Sequence, residues 1–242
     1  MTQQQWEQLQ SIVNGAKRMV FFGGAGVSTE SGIPDFRSQS GLYNTRYRYP
    51  PETIVSHSFL LQHPDEFYAF YREKMLPQGI RPNVTHRVLA HWEQQGKLQA
   101  VVTQNIDDLH EQAGSKCVYK LHGSTAQNYC MRCQKPYDVQ AILSTTGVPR
   151  CSCGGMIRPR VVLYEEMLDD EVVSGAIRAI ESADVMLVGG TSLVVYPAAG
   201  LLSYFRGNWL VLINRDATPY DSQADLVLHE SLGDVFSRFE TN

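Results

Sequence analysis

The sequence predicts an α/β fold, a largely parallel sheet with helices on both faces and a smaller module inserted into it. Three observations carry this. Short, wholly apolar runs alternate with amphipathic stretches of helical length, the pattern of strands covered on both faces. Gly, Ser, Thr and Asn gather just after those runs, and binding sites in such sheets lie at the carboxyl ends of strands. Two stretches break the alternation; one is rich in Tyr, Pro and His, and the other holds four of the five cysteines. With 242 residues, 43% of them hydrophobic and 19% charged, the chain can bury a sizeable core and is neither disordered nor collagen-like.

In order along the chain, Trp6, Leu9, Ile12 and Val13 are spaced for one face of a first helix. Met19–Phe22 is a buried strand. Val84–Gln95 reads as a helix, and Leu98–Thr103 and Val118–Leu121 read as strands. Asp169–Ser182 is helical, followed by strand Val185–Val188. Val185–Phe205 carries no charge, but Gly189-Gly190-Thr191-Ser192 interrupts it, so a strand, a polar turn and a helix beginning near Pro197 are expected instead of a membrane span. Strands Trp209–Ile213 and Leu226–Leu228 and a helix over Leu232–Phe239 complete the chain. The large unit is expected over residues 1–37, 81–127 and 156–242. The insertions 38–80, helical, and 128–155, cysteine-bearing, are expected to form the small module.

A net charge of −4 offers no broad basic field for nucleic acid or an anionic membrane. The N-terminus, Met1-Thr2-Gln3-Gln4-Gln5-Trp6-Glu7, lacks the basic and apolar regions of a secretory signal, and a cytoplasmic protein is expected. Absence of coiled-coil heptads favours a monomer.

The segment after the first strand, Gly23-Gly24-Ala25-Gly26-Val27-Ser28-Thr29-Glu30-Ser31-Gly32, could bring backbone N–H groups against a pyrophosphate, or it could be a flexible turn. It lacks the third glycine of G-x-G-x-x-G and the Gly-Lys-Ser/Thr of a P-loop, so ordinary dehydrogenases and NTPases fit poorly. In Ile33-Pro34-Asp35-Phe36-Arg37, a ring and a guanidinium could cover a flat heterocycle and hold a phosphate. Thr103-Gln104-Asn105-Ile106-Asp107-Asp108 closes a strand with amides and carboxylates that could hold ribose hydroxyls or cap the next helix, with Asp107 as N-cap. Of the seven histidines, His122 stands apart, at the carboxyl end of a short strand and before Gly123; an imidazole titrates where a general base must. Cys130-Met131-Arg132-Cys133 and Cys151-Ser152-Cys153 supply two thiol pairs that suit a closed tetrahedral zinc site. Gly154-Gly155 supplies slack for the tight second pair. Cys117 is left over as a small buried residue. The same pairs also allow a zinc-ribbon nucleic-acid module, which the acidic balance opposes.

Taken together, these segments resemble the sirtuin family of NAD-dependent protein deacylases. The signature runs from Gly24 to Arg37. It is followed in order by Thr103–Asp107, Leu121-His122-Gly123, the cysteine pairs, Gly190–Pro197 and Ile213-Asn214. The resemblance implies a Rossmann-like sheet with a structural zinc held by Cys130, Cys133, Cys151 and Cys153. NAD would be held by Gly24, Ala25, Gly26, Thr29, Asp35, Phe36, Arg37 and Gln104, with Asn105, Ile106 and Asp107 around the nicotinamide end. Gly190, Thr191, Ser192 and Asn214 would take the adenosine half, with Asp234 and Val235 near the adenine. His122 would be the catalytic base, with Asn105 orienting ribose or water.

The resemblance also implies that an acyl-lysine peptide lies extended between Val161-Val162-Leu163-Tyr164-Glu165-Glu166 and Leu193-Val194-Val195-Tyr196. It implies attack of the acyl oxygen on the ribose, release of nicotinamide, and formation of O-acetyl-ADP-ribose. The family commonly has aromatic-Gly-Glu where this chain has Tyr164-Glu165-Glu166, so Glu165 is expected to narrow the groove or favour basic residues near the target lysine. Family members that remove succinyl groups carry Tyr-x-x-Arg, whereas Tyr68 is followed by Tyr71 and then Arg72. Acetyl is therefore the expected group. Desuccinylation, long-chain deacylation and ADP-ribosyl transfer are the alternatives, ahead of a non-catalytic NAD-binding role.

Overall fold

A computed structural model of the chain describes residues 1–35, 48–76 and 78–240. Nine strands form two sheets among the described residues: β1 Met19–Gly23, β2 Leu98–Thr103, β3 Val118–Lys120, β4 Gly123–Cys130, β5 Pro136–Tyr137, β6 Ile157–Val161, β7 Val185–Gly189, β8 Trp209–Ile213 and β9 Leu226–Leu228. The large sheet has the order β3-β2-β1-β7-β8-β9 and is parallel throughout. Chain order runs outward in one direction from β1 and in the other from β7. The crevice outside their carboxyl ends is therefore the switch point, where such sheets bind ligands.

The apolar runs are continuous because alternate residues enter two separate cores. Phe21, Val101, Leu187 and Val211 pack on one face against Leu9, Trp92 and Phe236, from helices Gln3–Gly15, Val84–Gln94 and Leu232–Phe236. Phe22, Val102, Met186 and Leu212 pack on the other against Ala176 and Ile180 of helix Asp170–Ser182 and Leu201 and Leu202 of Ala198–Tyr204. The element near Pro197 is a 3-10 helix, and the last helix ends in a 3-10 turn over Ser237–Phe239. Capping residues set the starts. Thr2 forms a capping box with Gln5, and Asp169 accepts from the N–H groups of Glu171 and Val172.

The small sheet is antiparallel, in the order β5-β4-β6. The apolar pattern revealed neither β4, because Gly123-Ser124-Thr125-Ala126-Gln127-Asn128 is polar, nor β6, and the expected large unit, 81–127 and 156–242, takes in part of β4 and all of β6. The pairing of β4 with β6 shifts register between Ser124 and Asn128. Against this sheet pack helices Pro51–Ile54, His57–Gln62, Pro64–Phe70 and Gln140–Leu143, around Phe59, Leu60, Phe67, Tyr68, Tyr71 and Ile142. No helix among the described residues is long and apolar enough to cross a membrane.

Candidate active site

Sheet register brings the separate motifs to one level. Gly23 lies opposite Thr103 and Gly189, and Gly189 opposite Ile213, so the residues that follow each strand emerge side by side. A cavity of about 350 Å³ opens there. Its walls include Ala25, Gly26, Thr29, Asp35, Gln104, Asn105, His122, Gly190, Thr191, Ser192 and Asn214. That volume is within the range of small-molecule and cofactor sites.

The loops after β1 and β7 touch backbone to backbone. The Gly26 N–H donates to the Gly190 carbonyl at 2.8 Å, and a Cβ on Gly26 would stand 2.7 Å from the Gly190 Cα. Gly190 is left-handed, with φ +62°, and a Cβ there would meet the Val27 nitrogen at 2.5 Å. The glycines are therefore a steric requirement of the crevice. Next to them Thr191 Oγ1 donates to Gln104 Oε1 at 3.1 Å, while Gln104 Nε2 is buried without a protein partner. An unpaired buried donor lining a cavity calls for an acceptor such as a phosphate or ribose oxygen.

A hydrogen-bonded relay joins Asn105, Ser28 and Asp107. Asn105 Nδ2 donates to Ser28 Oγ at 3.0 Å, and Ser28 Oγ donates to Asp107 Oδ2 at 2.9 Å. Burial pushes the Asp107 carboxyl up, against the pull of the Leu109 N–H and the Ser28 hydroxyl. Asp107 also accepts from the Leu109 N–H, but it stands one position before the N-cap of helix Leu109–Ala113, which is Asp108 and not Asp107 as expected. Ile106 packs against the small module's core. Ser28 was not singled out in the sequence; a serine in a glycine loop carries no signal, and only the fold sets it between Asn105 and Asp107.

His122 Nδ1 lies 2.8 Å from the Gln104 carbonyl. A carbonyl only accepts, so Nδ1 carries the proton and Nε2 is the basic nitrogen. Burial draws its pKa below the usual 6.5, partly offset by that hydrogen bond. Gly123 has φ +75°, and a Cβ there would lie 2.0 Å from the Arg160 carbonyl oxygen, so the turn that presents His122 needs glycine.

Other expected residues fall in several settings. Gly24 flanks the crevice, where a Cβ would stand 2.8 Å from Thr191 Cβ. Phe36 and Arg37 lie outside the described residues. Asp234 begins the last helix, its N–H on Ser231 Oγ, and the Val235 side chain is wholly within the core. The cavity wall at that end is made by Arg215, Glu230, Ser231 and Leu232, which the sequence reading did not single out.

Val161 and Leu163 are buried, while Val162 is half-buried and Tyr164 and Glu165 are exposed. Val195 lines the cavity, with Val194 and Tyr196 exposed beside it. The Val162 N–H donates to the His122 carbonyl at 2.9 Å, which ties this segment to the base. The Glu165 carboxylate lies on Ser58. Tyr68 is fully buried and donates its hydroxyl to the Ile157 carbonyl at 2.5 Å; it is not brought to the groove.

The cysteine cluster lies at the far end of β4. All four sulfurs of Cys130, Cys133, Cys151 and Cys153 are within 4.8 Å of one another, with Cys130 to Cys153 at 3.5 Å and Cys133 to Cys151 at 3.6 Å. A tetrahedral zinc with bonds of about 2.3 Å sets sulfurs about 3.8 Å apart, so the donor set fits. A Cβ on Gly155 would stand 2.6 Å from Cys130 Sγ, which explains a glycine there by space more than by slack.

Comparison with known proteins agrees with this geometry. The profile of the Sir2 family matches residues 24–197. An NAD-dependent protein deacetylase of Clostridium acetobutylicum is 56% identical over 232 residues, 94% of this chain and 95% of its own. One from Cutibacterium acnes is 53% identical, over 96% of both chains. A solved Sir2 structure with a deacetylated p53 peptide and 3'-O-acetyl-ADP-ribose has a TM-score of 0.89 at 39% identity, covering 96% of each chain. Another, of Sir2 with a p53 peptide and NAD+, has a TM-score of 0.86 at 39% identity, covering 96% of this chain and 95% of that one. With its motifs converging on one crevice and these relatives matched along nearly their whole length, the chain belongs to the Sir2 family of NAD-dependent protein deacetylases.

Proposed function

We propose that this protein transfers the acetyl group of acetyl-lysine in protein or peptide substrates to the ADP-ribose of NAD, with release of nicotinamide. The observation that carries the reading is His122, half-buried in the crevice wall, with one ring nitrogen fixed by the Gln104 carbonyl and the other left as a base. NAD supplies the ribose carbon that receives the acyl oxygen and the hydroxyl that the base deprotonates. The unpaired Gln104 Nε2 offers a donor to a phosphate or ribose oxygen, and Gly26 and Gly190 supply the space beside it by their close backbone approach. Thr191, Ser192 and Asn214 continue the cavity toward the adenosine end, where Arg215, Glu230, Ser231 and Leu232 close it. Asn105 is held by Ser28 to orient a ribose hydroxyl, and Ile106 and Asp107 enclose the nicotinamide end. The zinc site is structural, since four cysteines complete a tetrahedron and leave no open position.

The peptide lies between Val162–Glu165 and Val194–Tyr196, where Tyr164, Val194 and Tyr196 are 41%, 48% and 67% exposed although apolar. Acetyl and other uncharged acyl groups are preferred, because the Arg72 guanidinium is engaged elsewhere. It donates to the carbonyls of Ile142 and Gly147 and to Thr145 Oγ1, and it stacks 5.5 Å from the Tyr68 ring. The same reading takes the protein as a cytoplasmic monomer without a nucleic-acid partner, supported by its net charge of −4.

The test is mass spectrometry of an acetyl-lysine peptide with and without NAD. Loss of acetyl only with NAD, and O-acetyl-ADP-ribose formed one for one, is expected. Intact acetyl-lysine with ADP-ribose on protein would replace this reading by ADP-ribosyl transfer. NAD left untouched across several acyl peptides would remove the enzyme assignment. Desuccinylation matching deacetylation would overturn the acyl preference.

A further inference from the structure

Glu165 has φ +75°, a left-handed conformation that disfavours any residue bearing a Cβ. Something must hold it there, and its side chain is engaged. Ser58 donates its backbone N–H to Oε2 at 2.9 Å and its hydroxyl to Oε1 at 2.9 Å. The flanking main chain is tied to the same turn. The Tyr164 N–H donates to the Val55 carbonyl at 3.0 Å, and the His57 N–H donates to the Tyr164 carbonyl at 3.0 Å. Glu166 is anchored to Arg158 at 2.5 and 3.0 Å and to the Leu163 N–H at 2.8 Å, and it pairs with His57 Nδ1 at 2.7 Å. Glu166 thus secures the loop to β6 and, through His57, to helix His57–Gln62, and Glu165 adds a second tie to that helix at Ser58.

We infer that Glu165 is a positioning residue for the acyl-lysine peptide. Its carboxylate clamps Ser58 and so fixes the Val162–Tyr164 edge before the peptide arrives. The inference rests on the proposed deacetylase reading, in which that edge receives the substrate main chain. It differs from the expectation that Glu165 reads the charge of the peptide, because the carboxylate is turned onto Ser58, each oxygen accepting one of its hydrogen bonds. Main-chain recognition gains affinity when the receiving edge is ordered in advance. The effect falls on peptide binding, because the His122 ring is held independently by the Gln104 carbonyl.

The experiment is steady-state kinetics of the full chain and of Glu165→Ala, Glu165→Gly, Ser58→Ala and Ser58→Ala/Glu165→Ala, on acetyl peptides with basic and with acidic flanks. Losing the clamp is expected to raise peptide KM roughly three- to tenfold, the worth of an exposed charge-assisted pair. kcat and the KM for NAD should stay within about twofold. Both flank types should respond alike. The double variant should be no worse than Glu165→Ala alone, since the two side chains act as one unit. Glu165→Gly relieves the backbone strain while removing the clamp, so it remains informative if the alanine variant folds poorly. Wild-type peptide KM in Glu165→Gly would overturn the clamp. A KM rise confined to basic-flanked peptides would overturn it in favour of direct charge recognition. A wild-type chain without NAD-dependent acetyl loss would overturn the deacetylase reading itself.

Discussion

Replacing Gly26 by alanine tests the crevice most directly. The new Cβ would stand 2.7 Å from Gly190 Cα, 2.9 Å from its oxygen and 3.0 Å from its carbonyl carbon. Every one of these atoms is backbone, so no rotamer relieves the contact. Raising 2.7 Å to the 3.4 Å of ordinary contact requires the loops after β1 and β7 to part by about 0.7 Å. Gly190 cannot yield inward, because its own Cα already faces the Gly26–Val27 backbone. Overpacking of this kind typically costs about 1–3 kcal/mol. In a chain of this size that lowers Tm by roughly 3–10 °C. The parting would also stretch the 3.1 Å bond from Thr191 to Gln104 and displace the Gln104 amide, whose Nε2 has no protein partner. Losing one charge-assisted amide contact costs about 1.5–3 kcal/mol, so the Kd for NAD should rise roughly ten- to a hundredfold. Calorimetric titration with NAD and a thermal melt read both effects. Gly15→Ala is the control, since nothing lies within 4 Å of a Cβ there, and it should leave NAD affinity unchanged. A Gly26→Ala protein that binds NAD within twofold of wild type, at an unchanged Tm, would refute the steric argument.

Two further outcomes follow from the same geometry. His122→Ala should lower turnover by about two to four orders of magnitude while NAD affinity stays near wild type; a near-normal rate would remove His122 from its role. Because burial depresses the His122 pKa and the neutral ring is the base, its working form persists to lower pH, so the acid limb of the kcat/KM–pH profile should fall below the usual 6.5. A limb above that value would contradict the burial argument. For the cysteines, metal analysis should find one zinc per chain in the wild type and less in Cys151→Ser, with a lower Tm. The local core there is little more than Cys130, Cys151 and Ile157, so the metal supplies much of the module's stability. Unchanged metal content in Cys151→Ser would contradict the four-cysteine assignment.

Much of the fold was legible because burial on both faces leaves a simple trace. Val20-Phe21-Phe22 and Val185–Val188 are apolar without alternation, so they could be placed in a covered parallel sheet before any coordinates. β4 was not legible, because it is a polar strand whose partner, β6, lies 27 residues after its end at Cys130. The motifs were readable as chemistry, but the alternatives at Asp107 could not be separated. In the fold Asp108 is the N-cap, while Asp107 accepts from the Leu109 N–H with one oxygen and from Ser28 with the other, a division between adjacent carboxylates that residue type alone does not make.

By itself, the sequence determined the α/β class, the glycine loop, the candidate base and the thiol set, since each depends on residue type and local spacing. Only the tertiary structure decided which nitrogen of His122 is basic, that Ser28 links Asn105 to Asp107, that Tyr68 and Arg72 are buried in structural bonds, and that Glu165 faces Ser58. Those are contacts between residues 18 to 107 positions apart. They depend on strand register and on how two modules are tied together, which no local pattern encodes.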